Sequence, residues 1–285
     1  MEHIQNHQKE VVGKNKIKNR TVKPYLNMLM KIGMKIGIEP NFYVSEPYLN
    51  LVDARCYTLG SLCWLEAEGW TLFPVLSESL YPANMNFQRL GKRKMFECWC
   101  DFNGYFCEGL NPRFLDSEFI FDPCQFNDMT GGRWQIYRKN SRKWQRGHEN
   151  WSYQDKFKGR QAQMLLGEWL DNKPNVEDSE LMIRLCLEKI PGVGRKFLYH
   201  DGELKAINVW DENWWFVNYR VCIVKDEPWL SEFARLLFYT DPEIQSKHKL
   251  IHDGGSLGNE GLERFKDKMN PLIKRKRYSW IKMIK

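Results

Sequence analysis

No apolar run in the chain approaches the ~20 residues that a membrane-spanning helix requires. The first ten residues, MEHIQNHQKE, have no hydrophobic signal core. These two absences lead us to expect a cytoplasmic protein whose eight cysteines are reduced. C-x-x-C spacing is also missing. Cys98 and Cys100 are separated by one residue, and no histidine lies near them or near Cys107 and Cys124. Zinc is therefore not expected, and these thiols read as small buried hydrophobes. No long low-complexity segment interrupts the sequence, and there is no acid at all between Asn270 and Lys285.

What is present is a folded composition of 285 residues, 42% hydrophobic and 14% aromatic, with twelve tryptophans. That length suits one large domain or two smaller ones. The net charge of +7 is unevenly spread: residues 131–160 carry nine Lys/Arg against two acids, and residues 270–285 carry six Lys/Arg. Residues 1–40 carry eight against three. Concentrated positive charge points to a polyanion such as DNA. A solvated basic face is the plain alternative, above all at the termini.

The most informative stretch is KLIHDGGSLGNEGLERFKDKMNP, Lys249 to Pro271. It reads as a strand end, a tight turn at Asp253-Gly254-Gly255-Ser256, and a helix from about Glu260 to Met269 stopped by Pro271. Paired glycines let the backbone approach a ligand, and unpaired N–H groups at a helix start suit an anion or a reacting carbonyl.

Elsewhere, Tyr25–Ile38 reads as a short helix. Residues 57–65 and 70–75 read as a hairpin, and 94–102 with 105–110 as another across Asn103-Gly104. Arg133–Arg146 reads as a helix with Trp134, Tyr137 and Ser141 on one side. Arg138, Arg142 and Arg146 step along another side, a row suited to phosphates. Residues 158–170 and 178–190 read as helices. A meander follows over 196–200, 204–210 and 214–224, then a helix over 228–239 and a last strand over 278–284. Ile190–Lys196, IPGVGRK, resembles the hairpin of a helix-hairpin-helix motif. Because the residues after it alternate like strands, a plain loop is favoured.

The order helix, helix, three antiparallel strands, helix, strand, glycine turn, helix, strand is similar to the GNAT acyltransferase fold. Two stretches sharpen this. Phe119–Arg146 resembles the strand, acidic residue, glycine and basic asparagine-containing helix of Fem-type and phosphatidylglycerol-lysyltransferase-like proteins. His252–Pro271 resembles their closing strand–glycine–helix segment. The resemblance covers roughly residues 56–280. It implies an α/β (α+β) chain with two GNAT-like units in tandem, each a mostly antiparallel mixed sheet flanked by helices. The expected division is a basic extension over 1–40 and units over 41–150 and 151–285.

The resemblance also implies an acyl- or aminoacyl-transferase acting on an amine, with acetyl-CoA or another activated acyl or aminoacyl donor. The basic strips and the aromatics favour a nucleic-acid acceptor, an amino-modified base in DNA first and a protein or cell-wall-precursor amine next. No metal is expected. Asp253 would orient or deprotonate the amine, the N–H groups of Gly254, Gly255 and Ser256 would hold the oxyanion, and Tyr219 or Tyr278 would protonate the leaving group. Asn218, Arg220 and Lys225 would face the cleft. Arg138, Asn140 and Arg142 would hold a phosphate, and Lys266 would bind substrate or cofactor. One departure stands out. The R/Q-x-x-G-x-G/A loop that holds the CoA pyrophosphate in acetyl-CoA enzymes is replaced by Val224-Lys225-Asp226-Glu227-Pro228-Trp229, with no glycine. Two non-enzymatic readings compete: a nucleic-acid-binding protein without catalysis, and a GNAT-shaped structural protein.

Overall fold

In the computed structural model, residues 17–19, 21–36, 40, 42–59, 62–67, 70–77, 95–98, 112–173, 178–256 and 258–281 are described. Two units emerge from the packing, one of residues 1–117 and 275–285, the other Glu118–Lys274. The break falls at Ser117/Glu118 rather than at 150, so the basic helix after residue 131 groups with the C-terminal strands.

In the first unit, β1 (Ile17–Asn19) precedes α1 (Lys23–Ile36) and α2 (Glu46–Leu51). Tyr25 and Leu29, one turn apart on α1, are buried together with Leu49 of α2. Strands β2 (Arg55–Leu59), β3 (Leu62–Ala67) and β4 (Trp70–Ser77) form an antiparallel meander with β1. The stretch 57–65, expected as one strand, is divided between β2 and β3, which pair antiparallel with Leu59 opposite Leu62. β5 (Met95–Cys98) runs parallel to β4. The expected Asn103-Gly104 hairpin and the Cys100 and Cys107 positions lie outside the described residues.

β6 (Pro112–Phe121) crosses the unit boundary. After it come α3 (Gln125–Asp128), a 3-10 turn (Gly132–Trp134) and α4 (Gln135–Gly147). α4 has no apolar stripe beyond Tyr137, Ser141 and Trp144, spaced four and three apart, and these are the residues it buries. β7 (Trp151–Gln154), α5 (Gly159–Asp171) and α6 (Ser179–Leu187) follow. The expected meander is β8 (Gly194–His200), β9 (Glu203–Glu212) and β10 (Phe216–Val224). Residues 190–193 form a turn and Gly194–Lys196 already pair in β8, so the stretch is not the hairpin between two helices. Then come α7 (Leu230–Tyr239), α8 (Pro242–Gln245), β11 (Leu250–Gly255) and α9 (Glu260–Asp267). β12 (Ile273–Ile281) returns to the first unit and pairs with β5.

In the second unit the strand order is β6-β11-β10-β9-β8-β7. Every neighbouring pair is antiparallel except β10 and β11, which are parallel. Helices α4 and α7 pack together, and α7 lies on β9 and β10. Between helix and sheet sits an aromatic core of Phe119, Phe121, Phe126, Trp134, Tyr137, Trp210, Tyr219, Phe238 and Tyr239. Tyr219 stacks on Phe238 with centroids 4.0 Å apart, and Phe126 on Tyr239 at 4.2 Å.

Candidate functional site

The parallel pair β10/β11 sets the site. Its pairing consists of Phe216–Leu250, Val217–Ile251 and Asn218–His252, and then stops, although β10 continues to Val224 and β11 to Gly255. Both strands are irregular just past that level: β10 shifts register between Tyr219 and Val221, β11 between His252 and Gly255. Two parallel strands therefore part where each carries polar side chains. The Asp253-Gly254-Gly255 segment is not the free turn expected from the sequence. It is the bulged end of β11, with Gly254 at φ 60 and α9 starting only at Glu260, capped by the Asn259 side chain.

On the α7 side, Asp253 is the hub. Its carboxylate pairs with Arg235, accepts the Tyr239 hydroxyl at 2.9 Å and lies 3.3 Å from the Lys266 ammonium. Lys266 also donates to the carbonyls of Asp253 and Gly255, the latter at 2.9 Å. One ammonium thus ties both ends of the bulge. Asp253, Arg235, Lys266 and Tyr239 are all buried. Arg235 lies over the rings of Tyr219 and Phe265, 5.1 and 5.4 Å from their centroids. Burial lowers the Arg235 pKa, but Asp253 outweighs it and the guanidinium is held above its ordinary value. The Tyr219 hydroxyl donates to Asn208 Oδ1, and Asn208 donates to the Tyr153 hydroxyl and to the Ala234 carbonyl. Burial pushes the Tyr219 and Tyr239 phenols well up, so each is a weaker acid than a tyrosine in water.

Side chains alternate along a strand, so the opposite face carries a second polar group. Asp211 accepts Arg220 Nε and Nη2 at 2.7 and 3.0 Å, and Asn218 Nδ2 at 2.9 Å. His252 Nε2 lies 3.4 Å from the Glu118 carboxylate, while its Nδ1 accepts the Gly254 N–H at 3.2 Å. That places the ring proton on Nε2, toward Glu118. Buried polar atoms here that have no hydrogen-bond partner among the described residues include Asn218 Oδ1, Ser256 Oγ and Arg235 Nε.

The expected site residues thus separate into groups. Asp253, Gly254, Gly255, Ser256, Lys266, Tyr219, Asn218 and Arg220 all fall where β10 and β11 part. Arg220 is tied to Asp211 inside the sheet, and the Gly254 N–H is taken by His252. Lys225 pairs with Glu203 at the far end of β10. Arg138 donates to the Met129 carbonyl and Asn140 to Glu232, while Arg142 is exposed on α4. Tyr278 belongs to the other unit, and its side chain is outside the described residues. Arg235, Tyr239, His252, Glu118 and Asp211 were not anticipated. A lone arginine in the apolar LSEFARLLFY helix was the available signal for Arg235.

The β10–α7 loop does not fit a CoA pyrophosphate. The Glu227 N–H donates to the Lys225 carbonyl at 2.8 Å. The Glu227 carboxylate is held by Lys205 at 2.7 Å and by Trp144 Nε1 at 3.2 Å. Lys205 and Lys225 both pair with Glu203. The position offers carboxylates and occupied amides where a diphosphate needs free donors. Among the described residues no group of side chains could hold a metal ion, and no helix is long and apolar enough to cross a membrane.

No family model and no curated protein matches the sequence. Solved structures do match the fold. A conserved protein of unknown function from Bacteroides thetaiotaomicron aligns with a TM-score of 0.62 at 15% identity, covering 85% of this chain and 90% of that one. The C-terminal domain of a protein described as a lysylphosphatidylglycerol synthetase from Agrobacterium fabrum aligns at 0.61 and 14%, covering 93% of each. L-PGS from Bacillus licheniformis aligns at 0.55 and 14%, covering 81% and 85%. The chain shares the mixed α/β fold of these structures.

Proposed function

We propose that the chain is a GNAT-type aminoacyl- or acyl-transferase acting on an amine, with the chemistry where β10 and β11 part. The observation that supports this best is the parallel pair that ends at Asn218–His252, with two unpartnered buried polar atoms beside the opening, Asn218 Oδ1 and Ser256 Oγ. One solved structure of similar fold is described as a domain of a lysylphosphatidylglycerol synthetase, and an aminoacyl ester is the donor we assign here. The β10–α7 loop, filled by Glu227, disfavours acetyl-CoA.

In this reading Asn218 Oδ1 accepts an N–H of the attacking amine, and the Ser256 hydroxyl donates to the oxyanion. The carbon–nitrogen bond forms as the ester carbon–oxygen bond breaks, and the proton lost by the amine ends on the leaving hydroxyl. Asp253 is a positioning residue: its donors are in place without substrate, and with Lys266 it fixes the bulge that presents Gly255 and Ser256. The acceptor is an amine; charge alone selects no DNA base.

The test is transfer of a radiolabelled amino acid from bulk aminoacyl-tRNA to small primary amines, run beside acetyl-CoA thiol release. Ser256→Ala should lower kcat about 100-fold or more, the cost of one oxyanion donor. Turnover of neither donor by the folded protein, or full activity of Ser256→Ala, refutes the proposal.

A further inference from the structure

We propose that the exposed side of α4, together with Trp229, is a docking surface for single-stranded nucleic acid. Three observations carry it. The first is unpaired charge. Arg133, Lys139, Arg142, Lys143 and Arg146 are all exposed, and none forms an ion pair among the described residues. The lysines around β8–β11 and α9 differ. Lys196, Lys205, Lys225, Lys247, Lys249 and Lys274 are each matched to a carboxylate. α4 itself contains no acid.

The second is spacing. Lys139 and Lys143, and Arg142 and Arg146, are four residues apart, a step of about 6 Å along the helix. That is comparable with the separation of neighbouring phosphates along an extended strand, and guanidinium forks suit phosphate oxygens.

The third is Trp229. It is 40% exposed and sits at φ 65, a left-handed conformation unfavourable for a residue with a Cβ. Lys143 lies over its ring, 4.4 Å from the centroid, so the indole stands beside the cation row. A strained, exposed aromatic next to unpaired cations provides a base-stacking platform.

An anionic membrane is the weaker occupant. The apolar face of α4 is spent on Tyr137, Ser141 and Trp144, and the outer side offers only Ile136 and the indole for insertion. Duplex DNA would satisfy the cations but hides its bases from the indole. The inference rests on this surface alone and is independent of the transferase reading, because binding is measured without donor or acceptor.

The experiment is fluorescence anisotropy of the full chain with a labelled oligouridylate of about 12 nucleotides, within the ~4–16 nucleotides of ordinary single-strand sites. A salt series accompanies it, with duplex DNA and phosphatidylglycerol vesicles as competitors. The Arg142→Gln/Arg146→Gln variant should reduce the slope of log K against log salt by about 1.4, two phosphates at ~0.7 each. Trp229→Gly should weaken binding about 5- to 100-fold with the slope unchanged. Glycine accepts the φ at 229, so this variant keeps the fold. Absence of saturable oligouridylate binding at low salt overturns the proposal. So does unchanged affinity in Trp229→Gly, or full competition by vesicles or duplex at equal charge.

Discussion

Replacing Asp253 by asparagine tests the core of the site description, and its first effect should be on stability. The carboxylate is buried among Arg235, Lys266 and Tyr239. Asparagine keeps an acceptor oxygen for Tyr239 but removes the charge facing a guanidinium that is itself buried. Removing one partner of a buried pair costs about 3–5 kcal/mol, because the other charge is left uncompensated. At about 2–4 °C per kcal/mol for a unit of this size, the melting midpoint should fall by roughly 6–20 °C. The assay is thermal and urea unfolding followed by tryptophan fluorescence, with activity read at a temperature where both proteins are folded. The Asp253→Asn/Arg235→Met double variant should be less destabilised than the sum of the two singles by about 1–3 kcal/mol. An Asp253→Asn protein within ~0.5 kcal/mol of the parent would show that the hub is not a desolvated ion pair.

Two further outcomes follow from the first and second units. Glu203 is held down at about 2, first by the Lys225 hydrogen bond and then by that of Lys205. A carboxylate depressed in the folded state contributes fully above its ordinary value near 4.5 and loses that contribution as pH falls toward about 2. The side chain is half exposed, so solvent screening holds the effect below ~1 kcal/mol. Glu203→Gln should shrink the loss of urea midpoint between about pH 5 and about pH 3; an unchanged acid slope would refute the pairing. In the first unit, Cys56 and Cys63 are buried with their sulfurs 3.3 Å apart. Contact with Cys63 lowers the Cys56 thiol, and contact with Cys56 raises the Cys63 thiol. Diamide, which takes up the two hydrogens, should join them as a disulfide found by peptide mapping. Oxidation confined to the exposed Cys124 would refute it.

The sequence made the second unit legible because its signals are local. Asp201-Gly202 fixes the β8–β9 turn, Pro228 and Pro271 bracket helices, and the 3.6-residue period of Tyr137, Ser141 and Trp144 tells inside from outside on α4. The expected strands 204–210 and 214–224 leave Asp211, Glu212 and Asn213 as the turn between them. The chain instead turns at 213–215, with the Asn213 side chain accepting the N–H groups of Trp215 and Phe216. Asp211 stays in the strand because Arg220 neutralises it there and Asn218 donates a hydrogen bond to it. That pairing is non-local and leaves no trace in a window of residues. The same holds for Asp253: a DGG triplet looks like a turn until Lys266, in the next helix, binds its carbonyls and keeps it in the sheet.

The distribution of paired and unpaired charge separates the two ends of the second unit. Around β9 and β10, Lys225, Glu203, Lys205 and Glu227 form an alternating chain that ends on Trp144. Trp144 belongs to α4, so the inner face of that helix is anchored through the same carboxylate that closes the β10–α7 loop. A donor carrying a diphosphate would have to displace Lys205 from Glu227 and would meet that carboxylate at short range. A donor carried on a longer polyanion need not enter the loop. On the transferase proposal, Glu227 and its partners therefore argue for a donor whose charge is not a diphosphate seated in the β10–α7 loop.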